Sequence, residues 1–186
     1  MNGSRWVAGA LLLAVVGSAC GVGSSSEAVE EAVAFDCAFP IAVFGTPGAD
    51  GVAWVEAAGV AAFVDREINQ RGRFVDRPSG QRLWFSKIAL AVRSGSAFVV
   101  TGMGESAPLL EWGQVGGPVE AIAVDGCAAT CSTVVDQPAC PNGATGEWAV
   151  YPGGLWSEEP GCYEVEVRTD ATAERVRFGL GEACAT

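Results

Sequence analysis

The sequence predicts an all-β protein, an antiparallel β-sandwich stapled by disulfides. Short runs of β-branched and aromatic residues alternate with polar positions, which is the pattern of strands that bury one face. Glycine and proline, 25 and 9 of the 186 residues, cluster between these runs and mark turns. Six of the seven cysteines lie between residues 37 and 184, as a disulfide framework requires.

The predicted strands follow one another with short connections. Residues 40–44 form an apolar run that ends at the turn cluster 45–48. Residues 74–76 and 83–85 flank the segment 77–81, whose proline and glycine favour a hairpin turn. Further strands are expected over 88–92, 97–101 and 119–124.

The clearest hairpin is C-terminal. Residues 163–168 and 175–180 each alternate apolar with charged side chains, and residues 169–173 connect them. In an antiparallel pair the carboxylates of one strand face the guanidinium groups of the other, which helps to set the register. The residues concerned are Glu164, Glu166, Arg175 and Arg177.

Helical signals are few. Residues 52–63 could form a short helix, but Gly59 interrupts the pattern. Eight to ten short strands with glycine-rich turns predict an immunoglobulin-like or related sandwich. We expect three segments: a signal peptide over 1–19, a flexible tether over 20–34 and one β-sandwich domain over 35–186.

Composition excludes several classes of function. The chain has no histidine, so a Ser-His-Asp triad, a Cys-His pair and an HExxH zinc site are all absent. The formal charge of −11 disfavours nucleic-acid binding, because an acidic protein repels phosphate backbones. We therefore expect no enzyme activity, no cofactor, no metal and no nucleic-acid partner.

The N-terminus reads as an export signal. Arg5 precedes an apolar stretch over 6–16, which is too short for a membrane-spanning helix of about 20 residues. The segment Val16-Gly17-Ser18-Ala19-Cys20 resembles the lipobox of bacterial lipoproteins. The resemblance implies that the Cys20 thiol carries a diacylglyceryl group, that cleavage occurs just before Cys20 and that the new amino group is acylated, for example with palmitate.

That resemblance implies attachment to the extracytoplasmic face of the cell membrane. Two alternatives remain open, ordinary secretion and an uncleaved N-terminal anchor. Cysteine parity favours lipidation, since removing Cys20 from the count leaves an even number for pairing.

The remaining cysteines are expected to form structural disulfides: Cys37, Cys127, Cys131, Cys140, Cys162 and Cys184. A zinc site is disfavoured because the Cys127/Cys131 pair has no closely spaced second pair, and a redox role because the spacing is not CxxC. Six cysteines allow fifteen pairings. Among them Cys162–Cys184 is preferred, since the C-terminal hairpin brings these positions together.

The C-terminal region resembles the ends of secreted actinobacterial proteins of unknown function. The matching positions are turn glycines, prolines and cysteines together with Trp148: residues 151–154, 160–162 and 179–184. The resemblance implies a β-rich exported domain and carries no activity with it.

The tentative ligand surface combines Trp156 with Arg71, Arg73 and Arg77. An exposed tryptophan before a polar loop could stack a sugar ring or grip a partner. The arginines belong to a basic cluster with Arg66 and Arg82, which could hold an anionic glycan or an acidic protein. The alternative is a core tryptophan and a solvated hairpin whose arginines pair with Asp65, Glu67 and Asp76.

Three hypotheses for the function follow. The first is a membrane-anchored module of the cell envelope that binds or scaffolds a glycan or a protein without catalysis. The second is a carboxylate-dependent glycan hydrolase using Asp65/Glu67 or Glu158/Glu159, although such pairs are common in a chain with 22 acidic residues. The third is a purely structural surface protein. The absence of histidine and the ordinary spacing of the acidic residues favour binding over catalysis.

Overall fold

A computed structural model of the chain describes residues 32–48, 51–64, 71–131 and 143–184. The fold is all-β, with 54% strand, and no helix occurs in these ranges. The predicted β-class is therefore confirmed.

Fourteen strands lie within the described ranges: β1 Val33–Ala34, β2 Ala42–Phe44, β3 Trp54–Ala57, β4 Ala61–Val64, β5 Gly72–Asp76, β6 Arg82–Lys87, β7 Leu90–Arg93, β8 Ala97–Met103, β9 Leu109–Trp112, β10 Ala121–Asp125, β11 Trp148–Tyr151, β12 Gly153–Ser157, β13 Gly161–Arg168 and β14 Ala173–Leu180.

The strands form two layers around a main core, and a smaller buried cluster of Ala62, Ala91, Trp148 and Val150 lies on strands β4, β7 and β11. One layer is the sheet β1-β10-β8-β13-β14. The other consists of two sheets, β2-β11-β7-β4-β3 and β5-β6-β12-β9, joined because β6 runs into β7 and β11 into β12 with only one or two residues between them. Alternate side chains from all three sheets meet in the core, among them Val100, Phe63 and Leu155.

Gly153 marks the bend between the two joined sheets. A Cβ atom at Gly153 would lie 1.9 Å from the Glu111 carbonyl oxygen, so only glycine lets β9 approach so closely. Across the bend, Ile88 N donates to Gly153 O at 3.0 Å and Trp112 Nε1 donates to Ile88 O at 2.6 Å. These bonds satisfy backbone groups that leave the ladder at the bend.

Both predicted hairpins are confirmed. In the β5–β6 connection Arg77 N donates to Gln81 O at 2.8 Å, and Gly80 takes a φ of 83°. In the C-terminal hairpin Glu164 pairs with Arg177 and Glu166 with Arg175, the register that the charge pattern predicts.

Residues 52–63, considered above as a short helix, are instead a β-hairpin made of β3 and β4. Ala58 and Gly59 take φ values of 52° and 67°, and Val60 N donates to Ala57 O at 3.2 Å, which is the geometry of a type I′ turn. The helix alternative is thus wrong. Alanine and glutamate favour a helix locally, but pairing with β7 buries Ala61–Phe63 and outweighs that preference.

The N-terminal end of the domain departs from a purely antiparallel sheet. Val33 and Ala34, two residues before the expected boundary at 35, pair with β10 in parallel. Phe35 explains this position, since its ring packs edge-on against Tyr151 at 4.7 Å and beside Gly113. Anchoring Phe35 in the core draws the preceding residues along β10.

Two disulfides are formed within the described residues, Cys37–Cys127 and Cys162–Cys184. The second confirms the preferred pairing. Cys131 is also disulfide-bonded, whereas Cys140 lies outside the described residues. Next to the first bridge, Tyr151 Oη donates to Cys37 O at 3.2 Å, and burial together with the charge of Asp36 raises the pKa of Tyr151 to about 12.

Candidate functional site

The candidate site lies on the outer face of the sheet β5-β6-β12-β9. Arg73, Phe85, Trp156 and Leu109 are successive cross-strand partners, so their side chains lie in one row on one face. The neighbouring residue Leu155 points the other way, into the core. We call the side of the sheet that carries this row the Trp156 face.

Trp156 is buried on this face, with 6% of its surface exposed. The Cζ atom of Arg77 lies 4.7 Å from the centre of the indole ring, and the Phe85 ring lies 4.5 Å from it. The expectation of an exposed tryptophan platform is therefore wrong. One of the predicted arginines does lie beside Trp156, because the β5–β6 hairpin carries Arg77 onto the ring.

Arg77 also faces Glu111 of β9. The distance from Nη1 to Oε2 is 3.8 Å, which is an ion pair but too long for a hydrogen bond. A partly exposed ion pair contributes at most about 1 kcal/mol. The cation–π contact adds about 0.5–1 kcal/mol at such a site. These two contacts therefore hold the Arg77 guanidinium only weakly.

Two buried polar atoms without hydrogen-bond partners flank Arg77. Among the described residues these atoms are Glu111 Oε2 and Trp156 Nε1, an acceptor and a donor. Buried polar groups are normally bonded to protein or water, and leaving one unbonded costs about 1–3 kcal/mol. No protein group in the described ranges satisfies these two atoms, so they depend on water or on a ligand for their hydrogen bonds.

A pocket of about 320 Å³ borders Trp156 on this face. Its apolar part consists of Leu83, Ala107, Leu109 and Trp156. Hydroxyl, amide and carboxylate groups line the rest, contributed by Gln81, Glu105, Ser106, Ser157, Glu158, Glu159 and Tyr163. We call this cavity the Trp156 pocket; it lies at the lower end of the size range of small-molecule sites.

Two of the hydroxyls are fixed by one backbone carbonyl. Ser157 Oγ donates to Glu159 O at 2.7 Å, and Tyr163 Oη donates to the same oxygen at 2.6 Å. Both protons are used, so these oxygens present lone pairs to the pocket. Together with the carboxylates they make the lining rich in acceptors.

The structure separates the predicted arginine cluster. Arg71 and Arg73 are exposed, and neither has an ion pair within the described ranges. Arg82 lies over the Phe74 ring at 4.9 Å and pairs with Asp76 at 3.8 Å. Arg66 lies outside the described residues. Only Arg77 reaches Trp156.

The carboxylate pairs considered for catalysis also differ in outcome. Asp65 and Glu67 lie outside the described residues. Glu158 and Glu159 line the Trp156 pocket but are exposed to solvent. No group of three or more metal-ligating side chains was found among the residues that the structure covers.

Sequence reasoning missed Glu111, Glu105 and Tyr163. In Leu109-Leu110-Glu111-Trp112 the alternation places Glu111 opposite the core residues Leu110 and Trp112, which is a usable signal for the outer face. Its partner could not be inferred, because the contact with Arg77 spans 34 positions and depends on how the hairpin folds over the sheet.

Comparisons of the chain with protein-family models, curated proteins and solved structures found no match. In the described ranges there is also no helix that could span a membrane. The chemistry of the Trp156 face is therefore the guide to function: a fixed sheet surface with an apolar floor, an acceptor-rich rim and two buried polar atoms that no described protein group hydrogen-bonds.

Proposed function

We propose that the protein is a lipid-anchored, extracytoplasmic module of the cell envelope that binds a glycan or protein through its Trp156 face and does not catalyse a reaction. The observation that carries the binding function is the Trp156 pocket, whose wall includes a buried tryptophan with an indole N–H that no protein group among the described residues accepts from. A site on strands is held more rigidly than one on loops, which suits recognition.

The disulfides support export. The five cysteines in the described ranges are all disulfide-bonded, as is usual in oxidising compartments. Cys20, the proposed lipid attachment site, lies outside those ranges, and its assignment rests on the lipobox-like segment. A tether rich in glycine and serine would let the sandwich domain reach its partner from the membrane.

The exposure of the pocket carboxylates supports binding over hydrolysis. A glycan hydrolase needs one carboxyl group that keeps its proton near neutral pH, usually through burial or a neighbouring charge. Glu105, Glu158 and Glu159 are all exposed. A purely structural role would give no use to the pocket or to the buried Trp156 N–H in its wall.

The proposal is tested by blocking the pocket from its rim. Ser106 is exposed and lines the pocket, so Ser106→Trp fills the opening without changing the core. We expect the full-length protein in detergent to be retained on pelleted envelope material from its own cells, and retention to fall at least tenfold in Ser106→Trp.

The matched control is Ala171→Trp, which adds the same side chain to the exposed β13–β14 turn, away from the pocket. Retention of this variant should equal that of the unmodified chain. If the unmodified chain is not retained, or if both tryptophan variants are retained equally, the proposed binding face is wrong.

A further inference from the structure

The charge of the Trp156 pocket selects against anions. Three carboxylates, Glu105, Glu158 and Glu159, line it, and no cationic side chain does so among the described residues. Because the chain as a whole is also strongly acidic, an anionic ligand would be repelled both locally and at long range. The pocket therefore suits a neutral or a cationic ligand.

The hydrogen-bonding groups decide between these two. An ammonium or a guanidinium group would satisfy the carboxylates, but it has no lone pair to accept from Trp156 Nε1. A hydroxyl group both donates and accepts. Among these groups, only a ligand that both donates and accepts can satisfy Trp156 Nε1 and the acceptor-rich rim together.

Arg77 covers the surface that such a ligand needs. Its guanidinium lies over the indole ring, and in the described part of the chain it donates no hydrogen bond. The guanidinium can turn away from the indole without breaking a hydrogen bond, since its polar contacts are the ring and a 3.8 Å ion pair, and a quarter of the side chain is already exposed. Its departure exposes an aromatic face next to the pocket.

We propose that the Trp156 pocket takes an uncharged sugar unit of a glycan, and that Arg77 is a displaceable cover over the indole on which this sugar stacks. The inference rests on the proposed binding function and names the ligand class of the same face. A sugar ring supplies hydroxyls for the rim and C–H groups for the indole. Displaced Arg77 turns towards solvent, where it is fully hydrated.

Isothermal titration of the full-length, oxidised protein in detergent tests the ligand class. The neutral probes are cellotriose, maltotriose and the β-1,4-linked trimer of N-acetylglucosamine; trigalacturonate is the anionic probe and spermidine the cationic one. We expect at least one neutral trisaccharide to bind and trigalacturonate not to bind. Binding of spermidine or trigalacturonate with no neutral trisaccharide bound would overturn the inference, as would binding of none of the probes.

Arg77→Ala tests the cover. Removing a group that competes with the sugar should tighten neutral trisaccharide binding about two- to fivefold. The matched control is Arg93→Ala, which removes another partly exposed arginine, one paired with Glu147 at 2.7 Å and located on the other joined sheet. Arg93→Ala should leave the affinity unchanged. Weaker binding by Arg77→Ala would show that Arg77 holds the ligand, and the proposal that Arg77 covers the indole would be wrong.

The two proposals can fail separately. Retention on envelopes that Ser106→Trp abolishes, with no neutral trisaccharide bound, refutes the sugar class and leaves the binding face standing. Trisaccharide binding that Ser106→Trp abolishes, with no retention on envelopes, supports the sugar pocket and refutes its role at the envelope.

Discussion

Glu166 is a buried carboxylate held by two arginines. Arg168 Nε and Nη2 bind its Oε1, and Arg175 Nε binds its Oε2 at 3.2 Å. Burial alone would raise the pKa of Glu166, but the hydrogen bonds and charges of Arg168 and Arg175 outweigh it, so the pKa lies below its usual value. The folded state thus prefers the ionised form more strongly than the unfolded chain does.

This preference makes stability depend on pH. Because the folded-state pKa is the lower one, the stabilisation is fully present above the unfolded pKa of about 4.3 and is lost as the pH falls through the folded value. Glu166→Gln should lower the free energy of unfolding by about 1–3 kcal/mol at pH 7, since two charged hydrogen-bonding partners lose their counter-charge. Urea unfolding at pH 7 and pH 3 measures the difference, which should shrink at the lower pH.

Glu164→Gln is the matched control. Glu164 lies on the same face of β13, but it is about half exposed and only reaches Arg175 and Arg177 at 3.9 and 3.8 Å. Its loss should cost at most about 0.5 kcal/mol. Equal effects of the two substitutions, or an effect of Glu166→Gln that persists undiminished at pH 3, would contradict the account of Glu166.

For single residues, the sequence predicted cross-strand partners better than it predicted how deeply a side chain is buried. Alternation of charge placed Glu166 opposite Arg175, as observed. It also placed Glu166 on a solvated face, whereas Glu166 is 7% exposed because Arg168, two residues along the same strand, folds over it. Trp156 shows the same limit, since its cover comes from Arg77, far away in the sequence.

Among the strands, the β3–β4 hairpin shows how tertiary pairing overrides local preference. Its turn needs a left-handed backbone at Gly59, where a Cβ atom would meet no neighbour within 4 Å. Gly59→Ala should therefore destabilise the protein through backbone strain alone, by about 1 kcal/mol. In a helix the same substitution would be stabilising by about 0.5–1 kcal/mol, so the sign of the change separates hairpin from helix.

Thermal or urea unfolding measures this effect, with Gly45→Ala as control. Gly45 also has open space around its Cα, but its backbone is not left-handed. Its substitution should change the free energy of unfolding by less than about 0.5 kcal/mol. A stabilised Gly59→Ala would contradict the hairpin.

The β5–β6 and β13–β14 hairpins were predictable, because in each the turn and both alternating strands are local in sequence. The parallel pairing of β1 with β10 was not, since it depends on where the Phe35 ring enters the core. The bends that divide β6 from β7 and β11 from β12 also escaped prediction. They depend on contacts such as that of Gly153 with Glu111, which only the folded sheet creates.

For the whole molecule, the cysteines tie the fold to the proposed anchor. Cys37–Cys127 closes a loop of 90 residues and ties the segment just after β1 to the segment just after β10, close to where the proposed tether would join the domain. In the loop-entropy model a loop of that length stabilises the folded state by about 4–5 kcal/mol. If the N-terminal segment is pulled, the force therefore reaches the domain at a point that a disulfide holds.

The pairing of Cys131 tests the anchor directly. Cys131 is disulfide-bonded, and the other four described cysteines bind one another, so its partner is Cys20 or Cys140. A sulfur that carries a diacylglyceryl group cannot also form a disulfide. The lipid anchor therefore requires Cys131–Cys140, and peptide mapping of the non-reduced protein should find that bridge.

Metabolic labelling with a fatty acid should mark the unmodified chain and not Cys20→Ala, while a Cys140→Ala control keeps the label. A Cys20–Cys131 bridge, or label that survives in Cys20→Ala, would contradict lipid attachment at Cys20.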